Sequence, residues 1–92
     1  MIITGSGARF SRDRRYRYAL WRTWADGNDS VLFIGLNPSQ ADEKENDPTI
    51  RRCISFAQDW GFSGCIVVNL FAYCTAYPGE LKTIADPIGP RT

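Results

Sequence analysis

Apolar and polar positions alternate from Arg14 to Thr23, with Tyr16, Tyr18 and Leu20 on one side and Arg15, Arg17, Ala19 and Trp21 on the other. That period of two, in a run rich in aromatics, predicts a strand. The turn cluster Asp26-Gly-Asn-Asp29 leads to Val31-Leu-Phe-Ile-Gly-Leu36, an apolar run that predicts a buried strand. Two strands joined this way are expected to form an antiparallel hairpin. Gly35, Asn37, Pro38 and Ser39 stop the second strand abruptly, and residues 40 to 47 are polar enough for a loop in water.

Asp47 and Pro48 then supply a cap and a first helical residue. Ile50, Cys53, Ile54, Ala57 and Trp60 recur at the three-four spacing of a buried stripe, and Gly61 is a left-handed stop. Gly64 to Leu70 is a third, continuous apolar strand. The unit from Val31 to Leu70 therefore reads as strand, helix, strand, with parallel pairing and a right-handed crossover. A short helix is expected around Gly79 to Ile84, before a tail, Asp86-Pro-Ile-Gly-Pro, that is no strand. Residues 1 to 13, with Gly5, Ser6 and Gly7 and no period, read as a loose lead-in to a single α/β domain over 14 to 92. Its small mixed sheet, a hairpin plus a β-α-β unit, has one face short of cover. Either a second copy covers that face, or a C-terminal segment is missing.

At 92 residues such a domain buries about 60 to 65% of the surface of its unfolded chain. The net charge of +1 predicts no strongly charged partner from bulk electrostatics, although arginines crowd the N-terminal quarter and acidic residues the central loop. Three widely spaced cysteines fit neither a disulfide framework nor a zinc site, and point to a reducing, cytoplasmic setting. No apolar run is long enough to span a bilayer. With no histidine, a Ser-His-Asp triad and a Cys-His pair are excluded within these residues.

Candidate chemistry gathers at strand ends, where open α/β sheets bind ligands. Asn37 follows the strand end at Gly35 and can orient a water or make a turn before Pro38. Ser39 offers a hydroxyl for ligand contact, but no histidine is present to activate it as a nucleophile. Arg51 and Arg52 stand in the first helical turn, against the helix dipole, which suits either a phosphate site or local neutralisation by the acidic loop. Asp42, Glu43, Glu45 and Asp47 could supply a general base or carboxylate ligands for a divalent cation, or simply form a solvated loop; their spacing matches no calcium loop, and no metal or other cofactor is expected. Asn69 interrupts an apolar strand just before its end and needs a partner, either the Asn37 loop or a ligand. Tyr16, Tyr18, Trp21 and Trp24 among arginines serve either a core or base stacking in single-stranded nucleic acid.

Four of these stretches together, Arg-Tyr in the first strand, Leu36-Asn-Pro-Ser39, Asp47-Pro-Thr-Ile-Arg-Arg52 and Val67-Val-Asn-Leu-Phe71, resemble an uncharacterised bacterial and phage domain family of unknown function. The resemblance covers about residues 14 to 92 and implies a C-terminally short form. Gly35-Leu-Asn-Pro-Ser39 is more distantly similar to the Gly-(Ile/Leu)-Asn-Pro-Gly motif of the uracil-DNA glycosylase superfamily, with Ser39 in place of the last glycine. That likeness implies a glycosylase-like core that hydrolyses an N-glycosidic bond in a nucleotide or nucleic acid. Asn37 would position the attacking water, with Asp42 or Asp47 assisting, and Asn69 would read the flipped base. Gly35, Ser39, Arg51 and Arg52 would complete the binding site. The superfamily's C-terminal motif has no counterpart before Thr92. A binding module without catalysis, or an interaction module completed by a partner, is the alternative.

Overall fold

The apolar stretch Gly64–Asn69 takes an interior position in the sheet, where both of its backbone edges are paired. A computed structural model describes residues 3–25, 27, 29–82, 86 and 88. It contains strands β1 (Gly5–Phe10), β2 (Arg17–Thr23) and β3 (Ser30–Gly35), helix α1 (Pro48–Asp59), strand β4 (Gly64–Asn69) and a 3-10 turn at Pro78–Lys82. The four strands form one mixed sheet in the order β1-β2-β4-β3. β3 and β4 are parallel, from Ser30 beside Gly64 to Gly35 beside Asn69, as the strand-helix-strand pattern predicts. The predicted turn at 26 to 29, the helix end near 84 and most of the 86 to 90 tail fall on positions wholly or partly outside the described residues.

Two expectations are corrected. β2 and β3 are not a hairpin, since β4 lies between them and pairs antiparallel with β2, Leu20 opposite Val67. Nor is the N-terminus a loose lead-in: β1 pairs antiparallel with β2 and is the hairpin partner that β3 was expected to be. Gly7, read as a breaker, is needed within that strand, because a Cβ there would lie 2.3 Å from Cζ2 of the Trp21 ring. β2 starts at Arg17 instead of Arg14. Arg14 turns the chain, with φ at +63°, and its guanidinium lies 3.9 Å from the centre of the Phe10 ring.

The register of the hairpin slips once. Arg9 pairs with Ala19 but Phe10 pairs with Arg17, so β2 carries one extra residue at Tyr18. Such a bulge re-aims the side chains beyond it. Here it breaks the alternation that would set Arg17 with Trp21, and Arg17 is buried.

α1 forms where predicted. The Asp47 carboxylate accepts from Ile50 N at 2.9 Å, Pro48 needs no donor in the first turn, and Gly61 at φ +83° ends the helix. Phe62 N donates to Ala57 O and Gly61 N to Gln58 O, the paired bonds of a Schellman motif. Ile50, Ile54 and Ala57 pack with Leu20, Cys65 and Val67 to make the core. Each large aliphatic side chain so buried contributes about 1.5 to 3 kcal/mol. Trp60 departs from the predicted stripe, remaining exposed and stacked on Phe56 and Phe33.

The face of the sheet away from α1 carries Leu32 and Ile34, 55% and 64% exposed, beside Ile66 and Trp21. Among the described residues no helix is long and apolar enough to cross a membrane.

Candidate functional site

Because β3 and β4 are parallel and β2 runs against them, the ends of β3 and β4 meet the start of β2 at one sheet edge. The start of α1 closes over that edge. Between them lies a cavity of about 330 Å³. Apolar walls come from Phe33, Ile50 and Val67, and polar groups from Arg17, Asn37, Ser39, Asp47 and Asn69. An apolar pocket of this size with a few convergent polar groups has the general character of a small-molecule site.

Asn37 is held by its nitrogen. Nδ2 donates to Thr75 O at 2.8 Å and to Pro38 O at 3.0 Å, and Thr75 N donates back to Pro38 O at 2.9 Å. The side chain thus ties the loop after β3 to the loop after β4. With both amide hydrogens committed, Oδ1 is the group that can still accept. The bond to Pro38 O braces the turn that the sequence marks there, and Asn37 also lines the cavity.

Asn69 is held by its oxygen, which accepts from Arg17 Nη2 at 3.4 Å. Its nitrogen lies over Gly35, where a Cβ would approach Nδ2 to 2.8 Å. Gly35 matters here because it makes room for the amide. The two asparagines consequently have opposite polarity: Asn37 has its acceptor unused, and Asn69 has its acceptor engaged and its amide hydrogens as donors.

Asp47 is buried, and both of its oxygens are used. Oδ1 caps α1, while Oδ2 accepts from Gln40 N and Ala41 N, each at 3.2 Å. It orders the loop and lines the cavity at the same time.

Asp42, Arg51 and Arg52 do not line the cavity. Asp42 folds into its own turn, accepting from Lys44 N and Glu45 N, and these two bonds hold its carboxyl below the usual range. Arg51 is exposed and reaches Asn46 O at 3.5 Å beside a separate depression, and Arg52 is also exposed. Five of the eight sequence-derived candidates, Gly35, Asn37, Ser39, Asp47 and Asn69, are brought together.

Sequence reasoning missed Arg17, the cation that does line the cavity. It is 2% exposed, and Nη1 donates to Ala41 O at 3.1 Å. Burial lowers its pKa, but a guanidinium keeps its proton in proteins. The available signal was an arginine near the start of an otherwise aromatic strand, and the bulge at Tyr18 made its direction unreadable. Cys53 also lines the cavity, and burial raises its pKa, so it is a neutral thiol and not an activated nucleophile.

No curated protein and no solved structure matches the chain. Residues 17–92, from the first residue of β2 onward, match the model of the family described as protein of unknown function (DUF1643), and the chain belongs to that family.

Proposed function

We propose that the cavity binds the base of a nucleotide or nucleic acid and that the chain hydrolyses its N-glycosidic bond. The observation that carries this reading is the pair of side-chain amides of opposite polarity at one apolar cavity. Nucleobases present carbonyl acceptors and N–H donors on a flat apolar body. In the proposed arrangement Asn69 Nδ2 donates to a base carbonyl, and Phe33 and Val67 bound the body of the base. Asn37 Oδ1 accepts from a water and holds it for attack on the anomeric carbon. The water's oxygen bonds to that carbon and gives up one proton, the glycosidic bond breaks, and the base leaves with the bonding pair and takes up a proton in exchange. Positive charge develops on the sugar in such a transition state, and the negative charge of Asp47 on the cavity wall complements it. The three free thiols fit action in a reducing, cytoplasmic compartment.

The test is to incubate the protein with uracil-, hypoxanthine- and mismatch-containing DNA and with free nucleosides. Base should be released by the wild type and not by Asn37→Ala. Binding without release would leave the non-catalytic alternative.

A second reading rests on a different observation, the exposed Leu32, Ile34 and Ile66 on the open sheet face. Contiguous exposed apolar surface marks association sites, and we propose a second copy of the chain as its partner. Sedimentation should then show a dimer that Leu32→Lys dissociates, and a wild-type monomer would refute it.

A further inference from the structure

Among the described residues, the buried charged side chains are Arg17, Arg22 and Asp47, two cations and one anion. Arg22 is surrounded by oxygen acceptors. Nε donates to Asn46 Oδ1, Nη1 to Trp21 O, and Nη2 to Asp42 O and Glu45 O. Asp47 is satisfied by three backbone N–H groups. Arg17 differs from both. It makes one bond to Ala41 O and a long one to Asn69, and its buried Nε has no partner. Neither of the ion pairs among the described residues includes it. The nearby charges partly cancel, with Asp47 attracting and Arg22 repelling. What remains is a guanidinium out of water beside an open cavity with no anion bonded to it, an arrangement that is costly unless something compensates it. A water could take the Nε–H, but it would not neutralise the charge.

We propose that Arg17 makes this cavity an oxyanion site, so that its ligand carries a phosphate or carboxylate group bound at the guanidinium. The inference rests on the cavity being the ligand site, as the reading above also holds, and adds that the ligand is anionic. The guanidinium fork suits such a group because it donates two parallel N–H bonds to two oxygens. The anion enters beside the Asp47 carboxylate, whose own oxygens already face backbone donors. Arg17 thereby links ligand charge to base reading, since the side chain that meets the anion also accepts the task of orienting the Asn69 amide.

Inorganic phosphate and acetate are the probes, with a nucleoside and its 5′-monophosphate as paired ligands. In ¹⁵N-labelled wild type, the Arg17 Nε–H resonance should move on titration with phosphate or acetate. The monophosphate should bind about tenfold or more tightly than the nucleoside, and Arg17→Met should erase that ratio. An Arg17 Nε–H that stays fixed through excess phosphate and acetate overturns the inference without requiring any variant to fold. So does an Arg17→Met protein that keeps the ratio. A phosphate-responsive Arg17 in a protein that neither binds nucleoside nor releases base would sustain the anion site and refute the nucleobase reading. Base release from neutral nucleosides with an unresponsive Arg17 would do the reverse.

Discussion

Replacing Arg22 by methionine removes the clamp on the loop that leads into Asp47. Arg22 is 1% exposed, and its guanidinium reaches Asp42 O at 2.6 Å, Glu45 O at 3.1 Å, Asn46 Oδ1 at 2.9 Å and Trp21 O at 2.9 Å, with a longer contact to Gly7 O at 3.4 Å. Hydrogen bonds from a charged donor contribute about 1.5 to 3 kcal/mol each, but these share one side chain and do not add. Two of the stranded acceptors, on Asp42 and Glu45, lie in a loop where water can reach them, and methionine no longer carries the desolvation cost of a buried cation. The net loss should be about 2 to 4 kcal/mol, a large part of the total stability of a small domain. With a urea dependence near 1 kcal/mol per molar, the unfolding midpoint should fall by about 2 M or more. Arg22→Lys should recover less than half of this, because a compact ammonium cannot span acceptors on both sides of the clamp. Hydrogen exchange at Asp42 N, which donates to Glu45 O at 3.0 Å, should accelerate in both variants. A midpoint shift below about 0.5 M, the range of an ordinary surface change, would refute the clamp.

Asp47→Ala should destabilise the fold by about 2 to 3 kcal/mol in the same assay, because it removes a helix cap and strands the Gln40 and Ala41 N–H groups. Gly35→Ala, whose methyl would displace the Asn69 amide, should abolish base release at a stability cost of about 1 to 3 kcal/mol. Glu43 receives both Nη1 and Nη2 of Arg14, at 2.8 and 2.7 Å, which lowers its pKa from the ordinary 4.5 to about 2. Because the folded value is the depressed one, the stabilisation from this pair is present above pH 4.5 and lost as pH falls through about 2. An NMR titration of Glu43 should show that midpoint, and Arg14→Ala should return it toward 4.5.

How much was legible depended on whether a signal was local. α1 could be read at both ends because its cap, first-turn proline and terminal glycine are each encoded within a few residues, and its stripe repeats between them. The parallel pairing of β3 and β4 followed from the intervening helix. Strand order was different, because it depends on which strand must be paired on both edges. β3 and β4 carry equally continuous apolar runs, yet β4 holds the place beside β2, and β1 took the outer edge despite its glycines. Gly7 reads as a breaker until the Trp21 ring is known to cross it.

The site divided in the same way. Asn37 and Asn69 stand at strand ends that the sequence marks, so their convergence was predictable, as was the cap at Asp47. Arg51 and Arg52 drew attention by their unfavourable position on the helix, yet neither lines the cavity. The cation that lines it, Arg17, depends on a one-residue slip in register and on β2 running against β4, and neither can be inferred from spacing.

The central claim is that Arg17, Asn37 and Asn69 form one ligand site. Titrating ¹⁵N-labelled protein with a nucleoside 5′-monophosphate tests it most directly. The Asn37 and Asn69 side-chain amides, the Arg17 Nε–H and the Gly35 backbone amide should shift together along one binding curve. No shifts at saturating ligand, or shifts confined to the Leu32 and Ile66 face or to Arg51 and Arg52, would contradict the account.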